Sequence, residues 1–126
     1  MAYTWRLQGT MTAEPLLGVT SGIPALTIPL DETYQLDKVL PSQYTLADST
    51  VTDVSLGGLT AINLVWIKVV GSKVRVRITS SDGSTQAIPV DTIFMLESQS
   101  IDITAIDLTL LLGGVETTVE VFLGQA

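Results

Sequence analysis

The chain has 126 residues, with six Lys or Arg against thirteen Asp or Glu and a formal net charge of −7. So acidic a chain argues against general nucleic-acid binding, which works by displacing counterions from phosphates, and against docking on an anionic membrane. It has no histidine and no cysteine, which removes the commonest general base, the soft metal ligands and the thiol nucleophile.

The N-terminal half carries Pro15, Pro24, Pro29 and Pro41. Proline is poorly tolerated inside a sheet, so short edge strands and long connections are expected here. The strand candidates are residues 4 to 8, 25 to 28, 44 to 47 and 50 to 56. Residues 31 to 40, "DETYQLDKVL", are the one stretch where a helical turn competes. Residues 1 to 24 combine Trp5, Met11, Leu16, Leu17 and Ile23 with Pro15, Pro24 and three glycines. They are too apolar for a disordered tail and too broken for a long central strand. They read as an N-terminal arm that adds an edge strand to a neighbouring subunit or to the particle beneath it, with the sandwich core between about 25 and 126.

The C-terminal half reads as strands throughout. "TAINLVWIKVV" (60 to 70) is mostly β-branched or large apolar, and Val74, Val76 and Ile78 then alternate with Lys73, Arg75 and Arg77. Gly71-Ser72 between them suggests a hairpin. Residues 80 to 84, "SSDGS", read as a turn, followed by strands over 85 to 89 and 92 to 98. In "IDITAIDLTLLL" (101 to 112), Ile101 and Ile103 share one phase and Ile106, Leu108 and Leu110 the other, so a bulge is expected near Ala105. Gly113-Gly114 is a turn, and residues 115 to 123 close the chain with Val115, Thr117, Val119, Val121 and Leu123 on one face. About eight short strands without a convincing helix predict an all-β, single-domain antiparallel β-sandwich spanning residues 1 to 126, jelly-roll-like in plan.

Charged residues make up 15% of the chain, against about 25% in a typical soluble domain. Mean hydropathy is +0.45. Either Thr, Ser and Gly cover the surface, or part of it is apolar and buried against a partner. No run is long enough for a membrane helix. The first residues lack the basic and apolar regions of a signal peptide, so synthesis in a cytoplasm without export is expected.

Among candidate sites, Lys73, Arg75 and Arg77 project from one strand face roughly 7 Å apart. They suit either a polyanion or cross-strand pairing with acids such as Glu116 and Glu120. Pairing is the favoured reading. Asp102, Asp107, Glu116 and Glu120 could supply a carboxylate pair or a calcium site. No short run clusters three acids at ligand spacing, so they read as a solvated face. Gly57-Gly58 and Gly113-Gly114 lead into no helix and are turns rather than phosphate loops. Trp66 is assigned to the core. Trp5 and Leu7, near the N-terminus, are assigned to an interface, together with the Lys73, Arg75 and Arg77 face. No cofactor and no catalytic residue is expected.

The segments "INLVWIK", "VRVRITSSDGSTQAIPVDTIFMLES" and "GVETTVEVFLGQA" resemble the C-terminal part of small β-sandwich virion accessory proteins of tailed bacteriophages, such as head decoration proteins. The likeness covers about residues 60 to 126. It implies a non-enzymatic assembly role in the virion, as a symmetric homo-oligomer bound to other virion proteins such as a major capsid protein; the apolar excess and low charge count also point to a homo-oligomer, with a trimer favoured. The alternatives are a carbohydrate- or receptor-binding β-sandwich module and, third, a carboxylate-dependent hydrolase.

Overall fold

Alternation along three strands sets the architecture. Val65, Ile67 and Val69, then Val74, Val76 and Ile78, then Val119, Val121 and Leu123 are all buried. Each of these strands has one face that must leave water, and fully burying such a side chain contributes about 1.5–3 kcal/mol. In the computed structural model, which describes residues 3–13, 26–97, 102–111 and 113–126, they face one another across the core of a sandwich.

The strands are β1 (Tyr3–Ala13), β2 (Leu26–Leu36), β3 (Lys38–Leu46), β4 (Thr52–Asp53), β5 (Leu64–Val70), β6 (Val74–Ser80), β7 (Thr85–Val90), β8 (Ile93–Glu97), β9 (Ile103–Leu110) and β10 (Thr117–Gln125). β3-β10-β5-β8 form the first sheet and β4-β9-β6-β7 the second, while β1 and β2 pair only with each other. All pairings are antiparallel. The order follows from one long folded ribbon. β6 pairs with β7, β5 with β8, β4 with β9 and β3 with β10, and successive pairs fall in alternate sheets. Wrapping an eight-stranded antiparallel ribbon in this way gives a jelly roll, so the expected sandwich is present, with the hairpin β1–β2 added to its eight strands.

The tip of the ribbon is the expected turn at Ser80–Ser84. Ser80 and Gly83 close it by backbone hydrogen bonds, Ser80 N to Ser84 O at 2.9 Å and Gly83 N to Ser80 O at 2.9 Å. Asp82 Oδ1 accepts from Ser84 N at 2.9 Å and Ser84 Oγ at 2.6 Å. The expected bulge is also present. Thr79 opposes Ala105 and Ser80 opposes Ile103, leaving Thr104 as the extra residue, so that Ile103, Ile106, Leu108 and Leu110 all reach the core. Ile101 lies outside the described residues, as do Pro15, Leu16, Leu17, Ile23 and Pro24 of the N-terminal segment. Pro41 and Pro89 stand on β3 and β7, each an outer strand of its sheet, where a missing N–H costs no ladder bond.

Three expectations are corrected. β5 and β6 are not a hairpin: they lie in different sheets. Gly71-Ser72 is the corner between the sheets. It passes so close to β10 that a Cβ on Gly71 would stand 2.6 Å from Thr117 Oγ1, and Ser72 N donates to that same oxygen at 2.8 Å. Both strands must send their apolar face to one interior, and a tight three-residue link between sheets does this as well as a turn within one sheet.

Residues 31 to 40 form no helical turn. They lie in β2 and β3, with a bend at Asp37. The N-terminal segment finds a pairing partner within its own chain. β1 pairs with β2 in the same chain, from Tyr3↔Leu36 to Ala13↔Leu26. The sandwich therefore starts at Lys38 rather than near residue 25, and the arm is a two-stranded hairpin of 11 residues per strand. Among the described residues, the buried core cluster runs from Leu46 to Leu123 and draws nothing from β1 or β2.

Candidate interaction surfaces

Directly opposed residues of an antiparallel pair share a face, so the register of the hairpin fixes its two sides. Tyr3, Trp5, Leu7, Gly9 and Met11 lie on one side with Leu36, Tyr34, Glu32, Leu30 and Ile28. Thr4, Arg6, Gln8 and Thr10 lie on the other with Gln35, Thr33, Asp31 and Pro29. The hairpin is therefore apolar on one side, Glu32 excepted, and polar on the other. The polar side is tied by Thr4 Oγ1 to Gln35 Oε1 at 3.3 Å and by Arg6 Nε to Asp31 Oδ1 at 3.0 Å. On the apolar side the Trp5 and Tyr34 rings lie 5.7 Å apart at 47°.

Only the base of this side meets the sandwich. Leu36 is buried against Gly124 and Leu64 of the first sheet. Tyr3, Trp5, Leu36, Val39 and Phe122 border a depression of about 290 Å³. Tyr34, Leu64 and Glu97 border another of about 410 Å³. Burial at this elbow, and then the Glu97 carboxylate that accepts from it, raise the Tyr34 hydroxyl above its usual pKa. Towards the tip, Met11 is 57% exposed and Ile28 43%.

The outer face of the first sheet continues the apolar character. Pro41, Phe122, Trp66 and Met95 stand opposite one another across four strands. Gln43, Glu120, Lys68 and Ile93 form the next row. Met95 is 42% and Ile93 60% exposed. Trp66 is thus not a core residue. It shares a side with Lys68, while Val65, Ile67 and Val69 take the interior. A shallow depression of about 410 Å³ lies over Pro41, Gln43, Trp66, Glu120 and Phe122, with no hairpin residue in its lining.

Lys73, Arg75 and Arg77 lie at the outer face of the second sheet, but their acids are not those expected. Arg77 pairs with Asp107, Nη2 to Oδ2 at 2.7 Å and Nε to Oδ2 at 2.8 Å. Lys73 reaches Asp91 at 3.7 Å. Arg75 opposes Thr109 and Pro89 and has no ion pair among the described residues. Glu120 opposes Lys68 instead, because β10 belongs to the other sheet. Glu116 precedes β10 and likewise meets none of the three cations. The remaining acids do not converge: Asp102 accepts from Asn63 Nδ2 at 3.3 Å, and among the described residues no group of three or more acids is placed to hold a metal ion.

The phases of Trp66 and Phe122 were available in the sequence. Phe122 alternates with Val121 and Leu123, so it had to point away from the core they share. The period-two series Ile28, Leu30, Tyr34, Leu36 likewise marked β2. Its interruption by Pro29, Asp31 and Glu32 hid it, because those residues favour turns and helix starts.

The exposed apolar side chains Met11, Ile28, Ile93 and Met95 thus lie on the arm and on the outer face of the first sheet. No protein-family profile, curated protein or solved structure matches the chain.

Proposed function

We propose that the chain is a non-enzymatic structural protein that assembles into a homo-oligomer, a trimer being the favoured size, and attaches to a larger particle. A virion accessory protein on a shell of major capsid protein fits that description. The jelly roll serves both viral capsid and lectin domains, so the fold alone does not choose. The observation that carries the reading is the apolar side of the β1–β2 hairpin, which stands outside the core and remains exposed towards its tip at Met11 and Ile28. Exposed contiguous apolar surface is costly in water, and proteins that keep it use it for contact. The acidic balance of −7 disfavours nucleic acid and anionic lipid as the covering partner.

The test is the mass of the full chain in solution by light scattering, followed by cosedimentation with candidate particles. A multiple of 13.4 kDa is expected. A second reading, a glycan-binding module, is favoured by Trp66 beside Gln43 and Glu120 in an open depression. An aromatic platform flanked by polar groups is what a sugar ring requires, and binding on a glycan array that is lost in Trp66→Ala would select it.

A further inference from the structure

Resting on the assembly reading, we propose that the apolar side of the hairpin in one copy docks across the Phe122–Trp66–Met95 stripe of a second copy. The first sheet of each subunit then receives the arm of a neighbour.

Three observations lead here. The base of the hairpin already makes this kind of contact within its own chain, where Leu36 sits on Gly124 and Leu64 and Trp5 borders Phe122. Hairpin side and sheet face are therefore chemically matched surfaces, and the contact between copies continues an existing one. The exposed parts are also complementary: Met11 and Ile28 lack cover on the arm, and Met95 and Ile93 lack it on the sheet. Finally, Glu32 interrupts the apolar side of the hairpin, and Lys68 stands in the row beside the stripe, opposite Glu120. Neither Glu32 nor Lys68 makes an ion pair among the described residues.

Closure decides the form of assembly. Beyond its base the hairpin is about 24 Å long and about 10 Å wide, so it covers roughly 240 Å² on each side. That is about a third of the ~800 Å² per partner of a standard interface. A closed arrangement, in which every copy gives one arm and receives one, doubles the contact per subunit and leaves no arm or stripe bare. An open chain of single contacts would leave one arm and one stripe bare at its ends.

The chain has no cysteine, so paired cysteine variants report contacts without background. Two differently tagged full-length chains, one Met11→Cys and one Met95→Cys, are coexpressed, purified and oxidised. A disulfide-linked pair carrying both tags is expected. None is expected when Met11→Cys is combined with Thr85→Cys on the second sheet. In parallel, Trp66→Glu is expected to raise the dissociation constant of the oligomer at least tenfold. Because Trp66 lies outside the core, the circular dichroism spectrum of that variant should stay unchanged. Glu32→Lys should weaken assembly, and adding Lys68→Glu in the same chain should restore it. An oligomer that links arm to arm, or that gives no arm-to-sheet product, overturns this docking mode while the assembly reading stands. A monomeric unmodified chain overturns both.

Discussion

Leu36 occupies the space in which a side chain on Gly124 would stand: a Cβ there would lie 2.8 Å from Leu36 Cδ1 and 3.0 Å from Cδ2. This contact, with the backbone bond from Asp37 N to Gln125 O at 2.8 Å, locks the base of the arm to the last strand of the sandwich. Glycine is required at 124 for close approach rather than for an unusual backbone angle. Gly124→Ala is therefore expected to cost about 1–3 kcal/mol through overpacking. Leu36→Ala, which empties the same site, should cost about 2–5 kcal/mol. Urea unfolding of each variant checks both, and Gly124→Ala combined with Leu36→Ala should cost less than the sum, because the smaller side chain makes room for the new methyl.

The two ion pairs on the second sheet should differ in strength. Arg77 is half exposed, but its partner Asp107 is only 14% exposed, at 2.7 Å. Lys73 and Asp91 are both well exposed and 3.7 Å apart. A double-mutant cycle with Arg77→Gln and Asp107→Asn should give a coupling of about 0.5–1 kcal/mol, and the same cycle on Lys73 and Asp91 a value near zero. Equal couplings would contradict the geometry.

The ribbon tip predicts a backbone effect and a pH effect. Gly83 has a φ of 86°, and a Cβ there meets nothing within 4 Å. Gly83→Ala should thus cost about 1–2 kcal/mol from the left-handed backbone alone. The Ser84 hydroxyl and then the Ser84 amide hold the Asp82 carboxyl below its usual pKa. A carboxylate depressed in the folded state stabilises the fold above its unfolded pKa of about 3.9 and loses that contribution as pH falls through the folded value. Asp82→Asn should flatten the loss of stability below about pH 4 in acid-titrated denaturation. Asp48 is lowered in the same direction by Thr50 and supplies an independent second case.

The sandwich was legible because its inward residues alternate without interruption. Val74, Val76 and Ile78, and Val119, Val121 and Leu123, each predict a half-buried strand on period alone. The Ser80–Ser84 turn and the bulge in β9 were legible from turn chemistry and from the change of phase after Ile103. What alternation does not encode is which sheet a strand joins. A short link through Gly71-Ser72 suits a hairpin or a corner equally, and the choice depends on Thr117, 45 residues after Ser72. For the same reason the acid facing Arg77 was not legible, since Asp107 and Glu120 have the same local pattern and differ only in their sheet. Trp5 was placed at a surface by its position near the terminus. Its partner Tyr34 was hidden by polar neighbours that look like a helix start.

If the arm joins copies while the sandwich folds without it, removing the arm separates assembly from folding. Among the described residues the core cluster contains no arm residue, so a chain starting at Lys38 should keep a β-type circular dichroism spectrum and a cooperative thermal transition. The most direct measurement is sedimentation equilibrium of this shortened chain beside the full one at micromolar concentrations. An oligomer is expected for the full chain and a folded monomer for the shortened one. A full chain that sediments at 13.4 kDa, or a shortened chain that keeps the oligomer, would contradict it.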